Sequence, residues 1–437
     1  MNEQVREQVL SEARALFPKM RERRRDFHKY AETGWTEFRT GAIVADTLFS
    51  LGYDVLTGDQ VFDEATMMGL PDAATLAKHQ ERAISEGANP KWVEKMTGGK
   101  TGVVGILEGA KPGPIVAFRF DMDANDLTES QDADHRPVVE GFVSIHPGAS
   151  HSCGHDGHTA IGLAVAEILA AHRHELAGTI KLIFQPAEEG VRGAKSMMIA
   201  GVVDDVDYFV GAHLGFMVKE NKAFSSQVSG FLATTKLDAN FKGRPAHAGG
   251  APEEGRNALL AAATAALNLH GIARHSGGAT RMNVGQLIAG SGRNVVPAEA
   301  VLKLETRGGT TELDEYMAKR ARQIILAAAQ MHECEVEILP MGGAACSVNH
   351  PELAKTLEEI AKTSGIFKNI VGGCDLGGSE DCAYFIERVN NRGGQAAYVA
   401  IGSEIAAGHH DGRFDFEENS LENGAAILSL TALTLLG

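Results

Sequence analysis

Residues 151–158 read HSCGHDGH and place three histidines, a cysteine and an aspartate within eight positions. Imidazole, thiolate and carboxylate groups are the ligands that transition metals bind in proteins. One such histidine alone is more often an ordinary core or surface residue. Three later segments carry further donors: Glu188 and Glu189 in QPAEEG, His213 in GAHLG, and His409 and His410 in AGHHDGRF. Four donor segments together favour a site for one or two metal ions.

The two adjacent glutamates predict acid–base chemistry. Neighbouring side chains of a chain that leaves a strand point in different directions. One carboxylate can therefore bind metal while the other accepts a proton from water and passes it to a leaving nitrogen, as amide hydrolysis requires. The alternative is that Glu188 and Glu189 cap a helix after Pro186.

The donor segments follow apolar, β-rich runs. PIVAFRF precedes Asp121 and Asp123, GTIKLIF precedes the glutamate pair, and VDYFVGA precedes His213. Helical patterns alternate with these runs, which predicts an α/β fold with a mostly parallel sheet and helices on both faces. Ligands of open parallel sheets collect beyond the carboxyl ends of the strands, where these donors lie.

The pattern changes near residue 220 to alternating strands with two apolar helices near 256–271 and 312–331, and the α/β pattern resumes near 335. We therefore predict a discontinuous catalytic domain, residues 1–220 and 335–437, with an α+β domain, residues 221–334, inserted into it. Residues 62–100 are predicted to form a helical insertion. The basic run at 21–25, RERRR, is predicted to be a solvated helix face.

Composition favours a small-molecule partner. The chain has 41 basic and 57 acidic residues, a formal charge of −16, and no basic cluster, which argues against nucleic acid or an anionic membrane surface. No segment approaches the ~18–20 apolar residues that span a bilayer. Five scattered cysteines argue against a secreted disulfide framework. We expect a cytoplasmic protein.

The ordered motifs FRFDMDA, HSCGHDGHTA, QPAEEG, GAHLG, GRPAHAG, GRNVVP and SEDCAYF resemble the M20 metallopeptidase family, in its amidohydrolase branch. The resemblance covers nearly the whole chain apart from residues 62–100. It implies a metallopeptidase-type catalytic domain and an inserted dimerisation or lid domain. Cysteine and histidine ligands favour zinc by their softness, whereas the resemblance suggests manganese.

The resemblance also implies a ligand set: Cys153, His155, Glu189, His213 and one of the His409/His410 pair. Glu188 is then the general base. HDGRF is similar to the family pattern H-x-P-x-F and places His410 in the ligand position. Gly412 stands where the family usually has proline, so His409 remains the alternative.

Further residues take supporting roles by the same resemblance. His247 of GRPAHAG is expected to reach the site of a neighbouring protomer and stabilise the oxyanion, and Asn294 and Arg307 are candidate substrate-binding residues. Arg307 can alternatively pair with Glu305 or Glu312. Three aspartates are expected to orient the metal-binding imidazoles from behind, and His158 is placed outside the ligand set. These aspartates are Asp121, Asp123 and Asp156.

The expected activity is metal-dependent hydrolysis of the amide of an N-acyl amino acid, with p-aminobenzoyl-glutamate cleaved to p-aminobenzoate and glutamate. One alternative is a general aminoacylase or dipeptidase. Another is a chain that needs a homologous partner chain for full activity. The expected assembly is accordingly a homodimer or a heterodimer with a homologous second chain.

Overall fold

The computed structural model describes residues 3–437 and divides into two compact units. Unit 1 contains the chain up to Ser229 together with Ser347–Leu376 and Asp381–Gly437. Unit 2 contains Gly230–Cys346 and Gly377–Glu380. Residues 1 and 2, which belong to the first predicted domain segment, lie outside the described residues.

The strands within residues 3–437 are, in chain order, β1 Asp54–Thr57, β2 Val103–Glu108, β3 Lys111–Asp121, β4 Ala177–Gln185, β5 Tyr208–Leu214, β6 Ala223–Ser225, β7 Val228–Ser229, β8 Ala233–Lys242, β9 Thr280–Ala289, β10 Glu299–Gly308, β11 Glu335–Ala344, β12 Asn369–Ile370, β13 Cys374–Asp375 and β14 Gln395–Ile401. The α-helices are α1 Glu3–Lys29, α2 Phe38–Ser50, α3 Ala73–Ser85, α4 Pro90–Val93, α5 Arg136–Val139, α6 His155–Ala171, α7 Ala194–Ile199, α8 Ala258–Leu269, α9 Thr311–Met331, α10 Pro351–Ser364, α11 Ala383–Asn391 and α12 Ser420–Leu435.

Unit 1 is built on an eight-stranded mixed sheet with the order β1-β2-β4-β3-β5-β14-β6-β12. The four central strands, β4, β3, β5 and β14, are parallel to one another. The pairs β1–β2, β2–β4 and β14–β6 are antiparallel. The α/β prediction is confirmed, with a parallel centre and antiparallel pairs on both sides of it; the edge pair β6–β12 is parallel.

Continuous burial of the central strands requires cover on both faces of the sheet. Residues 116–121 of β3 and 396–401 of β14 are buried without alternation. Helices α1, α6 and α12 pack on one another, with α6 and α12 also against β3. Helix α11 packs against β5, β14 and α7.

Unit 2 has a four-stranded antiparallel sheet, ordered β11-β8-β10-β9, against which α8 and α9 pack. Its core is mostly aliphatic, with Ala261, Ala265 and Ile325 fully buried beside Leu302. The assignment of residues 335–344 to the catalytic domain was wrong, because β11 pairs with β8 along its length. Residues 223–225 were misassigned in the other direction, since β6 pairs with β14 of unit 1.

Residues 62–100 contain helices α3 and α4 and two short 3-10 segments. Asp72 caps α3 by accepting a hydrogen bond from the backbone N–H of Thr75, and Pro90 occupies the first turn of α4. Among residues 3–437 there is no helix of the length and apolarity required to cross a membrane.

Candidate metal centre

The predicted donors lie at one edge of the unit 1 sheet because they follow neighbouring parallel strands. Asp121 ends β3, Glu188 and Glu189 follow β4 by three and four residues, and His213 is the penultimate residue of β5. His409 follows β14 in the same direction. The carboxyl ends of parallel strands meet at a common edge, which brings these side chains together.

Two groups of donor atoms share the thiol of Cys153. The donor atoms of Cys153, His155 and Glu189 lie within 4.8 Å of one another, and so do those of Cys153, His213 and His409. The sulfur is 3.5 Å from His213 Nε2 and 3.4 Å from His409 Nδ1. Thiol, imidazole and carboxylate donors at this spacing form the donor set of a transition-metal site.

Two of the imidazoles are held by their far nitrogen. His155 Nδ1 donates to the carbonyl oxygen of Asp123 at 2.9 Å, and His213 Nδ1 donates to that of Leu214 at 2.9 Å. Each ring therefore directs its Nε2 into the cluster, which is how proteins orient metal-binding histidines.

The cluster fits a divalent cation because buried nitrogens in it lack a partner. His155 Nε2 and His409 Nε2 are buried and have no hydrogen-bond partner. Such atoms cost about 1–3 kcal/mol each when unsatisfied, so native structures rarely keep them without a function. Burial also raises the pKa of the Cys153 thiol to about 12, so the thiol keeps its proton until a cation displaces it.

Asp123 holds the turn that carries the two glutamates. Its carboxylate accepts the backbone N–H of Glu188 at 3.0 Å and of Glu189 at 2.8 Å. The turn contains Ala187 and Val191 with φ of 52° and 58°, conformations that a side chain rarely adopts. Helix α7 begins only at Ala194, so the glutamates do not cap a helix directly after Pro186.

Asp121 orients His158. The carboxylate accepts from His158 Nδ1 at 2.5 Å, and His158 Nε2 accepts the backbone N–H of Leu214 at 3.0 Å. Both ring nitrogens are thereby hydrogen-bonded, although the donor atoms of His158 also lie within 4.8 Å of those of His155 and His213. Arg119 donates to the other oxygen of Asp121 at 2.5 Å. Burial alone would raise the pKa of this carboxyl, but the charges of Arg119, His155 and His158 hold it well below its usual range.

Asp156 does not orient an imidazole of the cluster, and the prediction for it was wrong. It follows His155 directly in the first turn of α6, and its carboxylate turns toward helix α1. There it accepts from Arg24 Nε at 2.8 Å and pairs with His28 Nδ1 at 2.8 Å. Successive residues of a helix face different directions, so adjacency in sequence did not place it behind the metal ligands.

Both members of the terminal histidine pair lie at the cluster. His409 belongs to the group with Cys153 and His213, whereas His410 has its Nε2 3.3 Å from Glu189 Oε1 and a side chain that is 60% exposed. At position 412, where the family usually has proline, a Cβ would lie 3.0 Å from the carbonyl oxygen of Thr128, and this close contact favours glycine.

Three of the predicted site residues, His247, Asn294 and Arg307, lie in unit 2. His247 is exposed, bridges to Val295, and accepts the backbone N–H of Gly249 at its Nδ1. Asn294 is exposed beside it, with its carbonyl bonded to the N–H of Ala248. Arg307 pairs with Glu305 through two contacts of 3.0 and 3.3 Å, which was one of the predicted alternatives.

Comparison with known proteins decides the family. The model of peptidase family M20/M25/M40 matches residues 117–434. The chain belongs to this family. It is 50% identical over 421 residues to the indole-3-acetyl-aspartic acid hydrolase of Enterobacter agglomerans, with 96% of each chain covered. It is also 50% identical over 420 residues to one of the chains of p-aminobenzoyl-glutamate hydrolase of Escherichia coli, again covering 96% of both.

A solved structure agrees with the M20 assignment. The aminobenzoyl-glutamate utilization protein of Klebsiella pneumoniae superposes with a TM-score of 0.85 at 42% identity, covering 98% of each chain. The predicted family resemblance is confirmed. The chain is a metallohydrolase that acts on amide bonds.

Three buried residues of this M20 enzyme support the site and received no role from the sequence. Glu37 accepts the N–H of Ala187 at 2.9 Å, and burial followed by the nearby Asp123 carboxylate raises its pKa to about 8. Arg119 and Asp381 pair with each other at 3.3 Å. Arg119 belongs to the motif FRFDMDA and Asp381 to SEDCAYF. The motifs therefore included these two residues but did not predict their contact.

The 62–100 segment reaches the glutamate turn through Arg192. The guanidinium donates to the carbonyl oxygen of Glu189 at 3.0 Å and to that of Gly69 at 3.2 Å. Asp63 adds a second link, because its carbonyl accepts Ser196 Oγ at 2.7 Å. The insertion is therefore bonded to the segment that presents the catalytic candidates.

Proposed function

We propose that this enzyme hydrolyses amides that join an aromatic acyl group to an acidic amino acid, and that it cleaves p-aminobenzoyl-glutamate to p-aminobenzoate and glutamate. The support is the pair of relatives at 50% identity, whose names specify indole-3-acetyl-aspartic acid and p-aminobenzoyl-glutamate. Both compounds combine an aromatic acyl group with a dicarboxylic amino acid. That shared chemistry defines the proposed substrate class.

We further propose that the cluster holds one or two divalent ions, zinc or manganese. The proposed ligands are Cys153, His155, Glu189, His213 and His410, with His409 added on the geometry above. Two donor groups that share one thiol support two ions. When bound, such ions polarise a carbonyl and lower the pKa of water.

Glu188 is the proposed general base. The carboxylate of Asp123 accepts hydrogen bonds from the backbone N–H groups of both Glu188 and Glu189. The two side chains can therefore diverge, with Glu189 in the donor group and Glu188 left to take a proton from water and return it to the leaving amine. His247, presented from a neighbouring protomer, is proposed to stabilise the oxyanion, and Asn294 and Arg307 to bind the substrate.

The observation that carries the metal-dependent chemistry is the Nε2 of His155, which is buried without a hydrogen-bond partner beside the Cys153 thiol and Glu189. A four-substrate panel tests the substrate class: p-aminobenzoyl-glutamate, indole-3-acetyl-aspartate, benzoyl-glycine and acetyl-glutamate. We expect kcat/KM to fall at least about tenfold when either the aromatic or the acidic half is missing, since a site built for both leaves groups unpaired. Equal rates on all four would instead support a general aminoacylase.

The assembly is proposed to be a homodimer or a heterodimer with a homologous second chain. Support comes from the relatives of Escherichia coli and Haemophilus influenzae, which are named as one component of a p-aminobenzoyl-glutamate hydrolase and as a homologue of that component. Turnover by the purified chain alone, compared with turnover after addition of a homologous chain, separates these assemblies. A chain that is inactive alone and active with its homologue would be one that needs a partner.

A further inference from the structure

Arg24, inside the basic run of α1, is fully buried rather than solvated. Its guanidinium contacts three carboxylates: Nε is 2.8 Å from Asp156, one terminal nitrogen is 2.8 Å from Asp415, and the other is 3.3 Å from Glu418. The ring of Phe416 lies 4.5 Å from the guanidinium carbon. The prediction of a solvated face was wrong at this residue.

The three carboxylates come from two segments that also carry proposed metal ligands. Asp156 directly follows His155, at the start of α6. Asp415 and Glu418 follow the His409/His410 pair by a few residues. The two segments also meet directly, because the backbone N–H of His410 donates to the carbonyl oxygen of Ser152 at 2.9 Å.

Arg24 contributes the charge that lets these carboxylates approach one another. A buried carboxylate is costly unless it is paired and hydrogen-bonded. Asp156 has a second partner in His28, and Asp415 has one in Arg136, but Arg24 touches both. A planar guanidinium with five donors can serve several acceptors at fixed angles, which an ammonium cannot do.

We propose that Arg24 is a positioning residue for the metal centre, which sets the spacing between the ligand segment 153–155 and the ligand segment 409–410. Arg24 touches neither substrate nor metal and acts through Asp156 and Asp415. This inference rests on the proposed ligands of the preceding section. Its consequence is that metal affinity depends on a helix about 130 residues before the first ligand.

The test is a competition titration of metal-free protein with Zn²⁺ alone against a chromophoric chelator, on the wild type and Arg24→Lys. Lysine keeps the charge but cannot span three carboxylates. We expect the Zn²⁺ dissociation constant to rise about 10–100-fold, the range found when outer partners of a metal site are lost. The metal-free Arg24→Lys protein should also unfold at a lower temperature, because lysine leaves buried carboxylates partly unpaired, so its folding is verified before the titration.

Arg23→Lys is the matched control. Arg23 lies next to Arg24 on the same helix and also bridges to α6, through Glu167 at 2.5 Å, but that contact is far from both ligand segments. Its Zn²⁺ affinity should match the wild type. Equal affinity in wild type, Arg23→Lys and Arg24→Lys would overturn the proposal, as would an equal loss in both variants.

Asp415→Asn provides a milder variant should Arg24→Lys fail to fold, because it weakens one of the two contacts through which Arg24 acts and keeps the guanidinium. The same decision applies: a weaker Zn²⁺ affinity in the folded metal-free variant supports positioning, and an unchanged affinity overturns it. The proposed function fails separately. A wild type that binds Zn²⁺ but does not hydrolyse any substrate of the panel refutes the activity and leaves the Arg24 comparison intact.

Discussion

Glu188 and Glu189 share one backbone anchor and are assigned different chemistry. Asp123 binds both N–H groups, which fixes the turn and leaves each side chain to its own direction. Glu189 lies in a donor group with Cys153 and His155. Exchanging a carboxylate for an amide at each position separates proton transfer from metal binding.

Glu188→Gln should retain bound metal and lose hydrolysis by about 10²–10⁴-fold, the usual contribution of a general base. Glu189→Gln should lower bound metal as well, because an amide is a weaker ligand than a carboxylate. Metal analysis and kcat on the same preparations measure both effects. Near-normal turnover in Glu188→Gln would remove it as the base.

Metal binding should release a proton from Cys153. Burial raises the pKa of this thiol to about 12 in the metal-free protein, so at pH 7.5 it is protonated, and a metal binds the thiolate. Calorimetry in buffers of different ionisation enthalpy should count about one proton fewer for Cys153→Ser. Cys382→Ser is the control, since Cys382 is also buried but lies outside the donor groups. Identical proton counts in wild type and Cys153→Ser would exclude ligation by this residue.

Three buried acidic side chains hold the segment that runs from β4 to α7. Glu37 accepts the N–H of Ala187, Asp123 accepts those of the two glutamates, and Asp381 accepts those of Gly193 and Ala194 at 3.1 and 2.9 Å. Backbone groups of a turn cannot pair within a sheet, so side chains satisfy them here. The segment is thereby fixed in a conformation with several positive φ angles.

Glu37→Gln should make stability less dependent on pH. Burial, then the charge of Asp123, raises the pKa of Glu37 to about 8, above its ordinary value of 4.5. Between these values the folded protein keeps a proton that the unfolded chain loses, so this group's stabilisation declines as pH rises from 4.5 to 8. Thr101, which donates to Glu37 at 2.8 Å, can accept instead from the glutamine amide.

The measurement is the unfolding temperature of chelator-treated protein across pH 5 to 9. The difference between Glu37→Gln and wild type should move in favour of the variant as pH rises. Glu7→Gln, at an exposed position of α1, should follow the wild-type curve. A constant offset between Glu37→Gln and wild type at every pH would contradict the raised pKa.

Sequence patterns predicted the strand-end donors because each β-rich run and its polar end are local features. These patterns predicted the α/β fold, the helices α8 and α9, and a site at the strand ends. The family resemblance supplied the ligand group of Cys153, His155 and His213. Contacts between distant residues are absent from such patterns. Arg24 meets Asp415 391 residues away, so its burial could not be read from a basic run. The direction of the Asp156 side chain, which points away from His155 toward helix α1, was likewise visible only in the structure.

Unit 2 carries residues whose proposed roles involve a second chain. His247 is exposed within its unit, so it is available to a neighbouring molecule. Mixing His247→Ala and Glu188→Gln chains, each inactive alone, should restore activity approaching one intact site per mixed dimer, because one site then carries both defects and the other neither. Absence of recovery in demonstrated mixed dimers would remove His247 from the partner's site.

The donor cluster of unit 1 is the proposed site of the ions on which amide hydrolysis depends. The most direct measurement is the release of p-aminobenzoate from p-aminobenzoyl-glutamate as metal-free protein is titrated with Mn²⁺ or Zn²⁺, with bound metal counted in the same samples. We expect no turnover without metal and a rise in turnover that follows occupancy and saturates at one or two ions per chain. Full turnover by the metal-free protein, or saturation with both metals and no release of p-aminobenzoate, would contradict it.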